Sequence, residues 1–141
     1  MFDRINIHSS IPVYAQIEYQ VRIALASGRL KAGDRLPSIH ALTEKLGVNA
    51  NTVVRAYQDL TYMGIINGRR GMGTFITEDA AAKCRDSVRG EVIGRLHEII
   101  SEAKASGMSA KEIKTSIDAL YAAAPDENKL GATVKSLLKG K

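Results

Sequence analysis

The chain has 141 residues, of which 45% are hydrophobic, so it is long enough for one folded domain or for a small domain with an appendage. Its net charge of +5 favours an anionic partner. Between Arg29 and Thr74, seven Lys or Arg residues stand against three acids, a net +4, so most of the excess falls in this stretch. No apolar run reaches transmembrane length, and Met1–Ser10 lacks the pattern of a signal peptide.

Several classes of site are disfavoured by residue type and spacing. Cys84 is the only cysteine, which excludes an internal disulfide and favours a reducing, cytoplasmic location. The three histidines are far apart in the sequence and lack ligand spacing, so we expect no metal site. No nucleophile is paired with a base, and we therefore expect neither a catalytic site nor a cofactor.

The N-terminal segment predicts a strand and a helix. Ile5 and Ile7 alternate with polar residues over Arg4–His8, which indicates a short strand. Ser10 is the expected N-cap of the first helix, with Pro12 in its first turn, where a missing N–H costs nothing. The apolar stripe of this helix is Val13, Ile17, Val21 and Leu25.

Two short helices joined by a tight turn come next. Ser38 is the predicted N-cap of the first, whose stripe of Ile39, Leu42 and Leu46 we expect to be buried. After Gly47, a second helix is predicted over residues 49–63, with Asn49 as its N-cap. This arrangement is typical of a helix-turn-helix.

The second helix has one apolar and one polar face. Asn51, Arg55, Gln58 and Tyr62 project away from the apolar stripe. Asn, Gln and Arg are the residue types that hydrogen-bond base edges in a DNA major groove. An ordinary solvated helix face would have the same pattern, so the helix alone leaves both interpretations open.

A β-hairpin is predicted over residues 65–77, because two β-branched or aromatic runs flank a basic Gly-rich turn. A hairpin directly after a helix-turn-helix forms a winged helix. At the tip, Arg69 and Arg70 are placed to contact phosphate or to enter a minor groove, and glycines allow close approach of the backbone. The turn lacks the Gly-Lys-Ser/Thr ending of a phosphate loop, which disfavours nucleotide binding. The interpretation that competes with a wing is a plain hairpin turn.

Five motifs in order resemble the GntR family of bacterial transcription regulators, over about residues 10–77. They are Pro12-Val13-Tyr14-Ala15-Gln16-Ile17, Gly33-Asp34-Arg35-Leu36-Pro37-Ser38, Val48-Asn49-Ala50-Asn51-Thr52-Val53, Arg55-Ala56-Tyr57 and Gly71-Met72-Gly73-Thr74-Phe75. The Asn-x-Asn-Thr-Val and Arg-Ala-Tyr motifs, with a short C-terminal part, are most similar to the YtrA-type subfamily.

The resemblance implies a winged helix that binds operator DNA as a dimer. By matched position it implies DNA contacts near Arg35, Ser38, Asn49, Asn51, Thr52 and Arg55, and at the wing from Gly71 through Gly73 to Thr74. Two positions depart from the family pattern. His40 stands where members usually have a DNA-contacting Arg, and Val54 stands where many have an Arg. His40 is therefore either a DNA contact or a solvated residue.

The C-terminal part predicts amphipathic helices. Residues 79–83 form either a linker or the first turn of a long helix, which carries a wide apolar stripe from Val88 to Ala103 and ends at Gly107. A capping box at Ser109–Glu112 begins the next helix, and a third, short helix is indicated near Leu130–Leu138. These apolar faces need a partner, and we favour a second chain over folding back onto the winged helix.

The expected architecture is mainly α with a small β-hairpin. A winged helix-turn-helix occupies residues 1–78, and a helical dimerisation region, which is also a possible effector region, occupies residues 79–141. The predicted function is a homodimeric transcription regulator, expected to be a repressor of double-stranded DNA operators. The alternative is a winged-helix protein–protein module without DNA activity. The sequence does not identify a small-molecule effector.

Overall fold

The computed structural model describes residues 1–2 and 5–123. Its elements, in chain order, are α1 (Val13–Ala26), β1 (Arg35–Leu36), α2 (Ile39–Leu46), α3 (Ala50–Tyr62), β2 (Ile66–Arg69), β3 (Gly73–Ile76), α4 (Ala80–Ala105) and α5 (Ala110–Ala122). The chain divides into two compact units, Met1–Glu91 and Val92–Lys141. The helix predicted near Leu130–Leu138 lies outside the described residues.

The core of the first unit is formed where α1 packs on α3 and the sheet closes one side. Helix α1 buries its predicted apolar stripe except for Val13, which is half-buried, and α3 buries a stripe that includes Val53 and Leu60. Leu36, Ile66 and Ile76 add the inner face of the sheet to the same cluster. Burial of these apolar side chains is the main term that stabilises the unit.

The sheet is antiparallel with the strand order β1-β3-β2. The predicted hairpin is confirmed as β2 and β3. Strand β1 was not predicted, because the segment 30–36 contains a Gly33-Asp34 turn signal and only two of its residues pair. Those two residues pair with β3, where Arg35 is the partner of Phe75 and Leu36 of Thr74. Because the paired residues lie far apart in the chain, no local sequence pattern indicates that they pair.

Local capping fixes both helices of the helix-turn-helix. The Ser38 hydroxyl accepts a hydrogen bond from the backbone N–H of Ala41 at 3.0 Å, and the Asn49 side-chain oxygen accepts one from the N–H of Asn51 at 2.9 Å. Gly47 has a φ of 63°, the left-handed conformation that ends α2. Both predicted N-caps are confirmed, and α3 falls within one residue of its predicted bounds at each end.

Three local predictions are wrong. Pro12, not Ser10, occupies the N-cap position of α1, and the neighbouring Ser9 hydroxyl accepts from the N–H of Ile11 in a local turn. Residues 5–8 form coil and a turn rather than a strand. Ile39 is 37% exposed, because it is the first residue of α2 and only Leu42 in that helix is fully buried.

Helix α4 begins at Ala80, so residues 80–83 are helix rather than linker. Its first turns bury Ala80, Cys84 and Val88, which is why the first compact unit extends to Glu91. In the second unit, the capping box predicted at Ser109 and Glu112 is confirmed at the start of α5. None of the helices in the described part of the chain has the length and apolar character needed to cross a membrane.

Candidate DNA-binding surface

The outer side of α3 forms an exposed polar face. We call Asn51, Arg55, Gln58 and Tyr62 the recognition face; all four are exposed, and Tyr62 is 93% exposed. The opposite side of the helix is buried in the core, so the helix is held rigidly while these side chains stay free to contact a ligand. Three of the four are residue types that hydrogen-bond base edges or phosphates.

Arg55 is the cation of this face, and two neighbours hold its side chain. Its guanidinium carbon lies 3.8 Å from the centroid of the Tyr14 ring on α1, a cation–π contact. Its Nε lies 4.0 Å from Oδ2 of Asp59, one turn further along α3. The Arg55 side chain nevertheless remains 61% exposed, so its free edge is available to DNA.

The start of α2 lies beside α3, and a hydrogen bond joins them. The hydroxyl of Tyr57, which is buried, donates to the carbonyl of Pro37 at 2.6 Å. This bond sets the position of Ser38, the next residue. The Ser38 oxygen is used for capping, while its O–H proton can still be donated to a phosphate.

His40 is the second residue of α2 and is open to solvent. Its side chain is 84% exposed, and its Nε2 lies 3.3 Å from Oε1 of Glu44. Asn49 and Thr52 are at the beginning of α3, where Asn49 is exposed and Thr52 is half-buried. The Asn49 oxygen caps the helix, which leaves its amide N–H groups as donors.

The wing presents cations on one face of the sheet. Side chains alternate between the two faces of a strand, and the register pairs Arg35 with Phe75 and Arg69 with Gly73. These four residues therefore share the outer face. The guanidinium carbon of Arg69 lies 4.8 Å from the Phe75 ring centroid, which holds that cation against the sheet.

There is no space for a side chain at Gly73, because Arg35 lies directly beside it. An added Cβ at Gly73 would lie 2.7 Å from the Arg35 Nε, and the φ of 115° is one that other residues rarely adopt. At the tip, Arg70, Gly71 and Met72 are exposed. Thr74 is the partner of Leu36 on the inner face, so its side chain is not brought together with the wing cations.

Within the described residues, the structure shows three groups of predicted site residues: the start of α2, the outer side of α3 and the outer face of the wing. Whether each of them contacts DNA stays a prediction. Sequence reasoning missed Tyr14, Asp59 and Phe75, which hold the predicted cations in place. The signal for Asp59 is its spacing of four residues from Arg55 on the same helix. The two aromatic contacts arise only when α1 meets α3 and β2 meets β3.

The comparisons with known proteins agree with this geometry. The family model described as bacterial regulatory proteins, gntR family, matches residues 13–76, from α1 through β3. The chain is 34% identical to the HTH-type transcriptional repressor YtrA of Bacillus subtilis over 110 residues, covering 78% of this chain and 85% of that protein. It is 36% identical to the uncharacterised HTH-type regulator YhcF of the same organism, covering 74% of this chain and 86% of that protein.

Solved structures show the same fold. A transcriptional regulator from Oenococcus oeni superposes with a TM-score of 0.62 at 29% identity, covering 84% of this chain and 98% of that one. A GntR family regulator from Listeria monocytogenes also gives a TM-score of 0.62, at 32% identity, covering 79% of this chain and 97% of that one. The likeness therefore extends beyond the winged helix into the C-terminal helices.

Proposed function

Because the chain belongs to the GntR family of bacterial transcription regulators, in its YtrA-type subfamily, we propose that it is a homodimeric repressor of a pseudo-palindromic operator. The family and the named relatives are transcription regulators, which confirms the prediction that the chain is not an enzyme. The winged-helix protein–protein module is not favoured, because the relatives are named as regulators of transcription.

One observation carries the DNA-binding proposal: the four side chains of the recognition face of α3 are exposed, and two neighbours hold its single cation, Arg55, in place. In the proposed complex α3 enters the major groove, where Asn51, Arg55 and Gln58 are the base-reading candidates. The sugar-phosphate backbone of the DNA then lies near four further candidates: Ser38, His40, Asn49 and Thr52. Repression follows from steric block of the promoter.

The wing supplies the second set of contacts in this proposal. Arg35 and Arg69 on its outer face, with Arg70 at the tip, are placed to contact phosphates or a minor groove. Exposed Gly71 allows the backbone to approach a phosphate closely. Gly73 leaves room for Arg35, and Thr74 acts through its backbone, since its side chain lies on the inner face.

We assign residues 1–78 to DNA binding and residues 79–141 to dimerisation. In the second unit, apolar side chains are exposed on both helices, a pattern that needs a partner. They are Val92, Ile93, Leu96, Ile99, Ile117, Leu120 and Tyr121. Two-fold pairing through them would present two recognition helices to two operator half-sites. A cytoplasmic location and control by a small-molecule effector remain part of the proposal.

The proposal is tested by fluorescence anisotropy with the full chain. A duplex that carries the promoter region of its own gene is compared with a random duplex of equal length at several salt concentrations. We expect tighter binding to the promoter and a steep salt dependence. Equal, weak binding to both duplexes would contradict a sequence-specific repressor.

Two variants test whether Arg55 contacts DNA. Arg55→Ala should weaken promoter binding by about 1–3 kcal/mol, which is about fivefold to 150-fold, and should reduce selectivity if Arg55 reads a base. Lys114→Ala removes one exposed positive charge from α5 and should bind as the unmodified protein does. If both variants bind equally well, Arg55 is not a DNA contact.

A further inference from the structure

Helix α1 carries a carboxyl group that is in contact with the recognition helix. The side chain of Glu18 lies within hydrogen-bonding reach of that of Asp59 on α3. Two carboxyl groups form such a bond only when one of them carries a proton, because ionised carboxylates have no donor. The Glu18 Oε1 is buried and has no hydrogen-bond partner in the described part of the chain. A buried carboxyl oxygen without a donor favours the protonated form, because a negative charge there would be poorly solvated.

The groups that face Glu18 favour its protonated form. Burial is the largest cause, followed by the hydrogen bond and the negative charge of Asp59, and together these raise the pKa of Glu18 to about 7. The positive charges of Arg22 on α1 and Arg55 on α3 act in the opposite direction. Arg22 has the larger of these two effects, and its guanidinium is also paired with Glu91 on α4 and donates to the Ser87 hydroxyl at 3.0 Å.

The same cluster contains the proposed DNA contact. Asp59, the carboxyl neighbour of Glu18, also lies 4.0 Å from Arg55 Nε through its Oδ2, and the Tyr14 ring on α1 lies against the same guanidinium. The proton on Glu18 therefore decides whether Arg55 has one or two negative charges beside it. When Glu18 and Asp59 are both ionised, Arg55 is drawn toward α1, and the surface repels phosphate more strongly.

We propose that Glu18 is a proton-dependent positioning residue for Arg55, so that the protein takes up a proton when it binds DNA and loses affinity as the pH rises through neutrality. This inference rests on the proposed function. Thermodynamic linkage between proton binding and DNA binding gives the sign of this pH dependence. DNA brings negative charge to the surface, which favours the neutral form of Glu18, and by reciprocity the neutral form favours DNA.

The test is an anisotropy titration of the full chain against its promoter duplex, repeated between about pH 6 and about pH 8 at constant ionic strength. Uptake of a full proton would weaken binding by about tenfold per pH unit, and partial uptake by less. We expect at least about a threefold loss for the unmodified protein over this range. Glu18→Gln keeps the shape and can donate to Asp59, so it should lose less than about twofold and should bind at high pH as tightly as the unmodified protein does at low pH.

Two controls isolate Glu18. Histidine commonly titrates in the same pH range, so every titration is repeated with His40→Gln in place, which removes the exposed imidazole of α2. Glu98→Gln removes one exposed negative charge from α4 and should keep the pH dependence of the unmodified protein. Parallel pH curves for the unmodified protein and Glu18→Gln would overturn the proposal.

A second measurement does not depend on DNA. NMR titration of the carboxyl carbon of Glu18 should show a midpoint near neutrality in the free protein, and Asp59→Asn should lower it. A midpoint in the ordinary glutamate range overturns the proposal even if both variants fold poorly. Absence of DNA binding at every pH would instead overturn the proposed function, while binding that is the same at every pH would overturn only the role of Glu18.

Discussion

The hydroxyl of Tyr57 donates a hydrogen bond of 2.6 Å to the carbonyl of Pro37, and this bond joins the recognition helix to the residue that precedes the cap of α2. The middle of α3 is thus fixed to the segment that leads into α2 through a buried side chain. The carbonyl of Pro37 lies outside any helix, so Tyr57 satisfies a group that would otherwise need water. The geometry between Ser38 and the recognition face depends on this contact.

We predict that Tyr57→Phe lowers the free energy of unfolding by about 1–2 kcal/mol, because the Pro37 carbonyl loses its donor while the ring still packs in the core. The measurement is chemical denaturation followed by circular dichroism. Tyr62→Phe is the matched control, since Tyr62 is 93% exposed, and should change stability by less than about 0.5 kcal/mol. Equal stabilities for the two variants would show that the hydrogen bond contributes nothing.

The same residue predicts a loss of stability in alkali. Burial raises the pKa of Tyr57 to about 12, above its ordinary value of 10.0. The contribution of the neutral phenol is therefore fully present below about pH 10 and is lost as the pH rises toward about 12. Comparing the unfolding free energies of the unmodified protein and Tyr57→Phe across this range should show a steeper decline for the unmodified protein. Parallel declines would contradict the raised pKa.

How much of this structure the sequence predicts depends on how local each signal is. The caps at Ser38, Asn49 and Ser109 are local hydrogen bonds, and each is found where the sequence indicates. Strand β1 and the contact of Tyr14 with Arg55 depend on segments that are distant in the chain, and neither was predicted. Ser10 shows the limit of local signals: it is an N-cap residue type, but Pro12 occupies the N-cap position and the helix begins at Val13.

The candidate site divides in the same way. Motifs and helical spacing predict the exposed cations, because exposure follows from the apolar stripe on the other side of α3. They do not predict Glu18, since an acid on α1 has the pattern of a solvated residue until Asp59 of α3 is placed beside it. The candidate contact residues are thus visible in the sequence, whereas most of the residues that position them appear only in the fold.

Gly73→Ala should weaken both folding and DNA binding. The added Cβ would lie 2.7 Å from the Arg35 Nε at a φ of 115°, so the backbone is strained and Arg35 must move. We expect a loss of stability of about 1–3 kcal/mol in thermal denaturation, with weaker promoter binding. Gly68→Ala is the control, because it lies in the same hairpin and its Cβ would meet no atom within 4 Å. If the two variants behave alike, the packing of Arg35 against Gly73 has no role.

Arg70→Ala tests the wing separately from the recognition helix. Arg70 is exposed at the tip and makes no ion pair with the described residues, so its removal should leave stability unchanged. Loss of one phosphate contact should weaken promoter and random duplexes alike and reduce the salt slope by about 1. Anisotropy titrations at several salt concentrations provide both values. A change confined to the promoter duplex would instead assign Arg70 to base or groove-shape readout.

Leu96→Asp should convert the proposed dimer into a monomer. Leu96 is 45% exposed, and Val92 and Ile99 at helical spacing form an apolar stripe with it. A carboxylate in that stripe would be desolvated by a partner chain, at a cost of several kcal/mol, unless the interface opens. Light scattering coupled to size exclusion would detect the change in mass. The control is Ser101→Asp, which adds the same charge about 140° around the helix, on the side away from the stripe, and should remain dimeric. If Leu96→Asp is also dimeric, the two chains pair through another surface and the exposed stripe has a different partner.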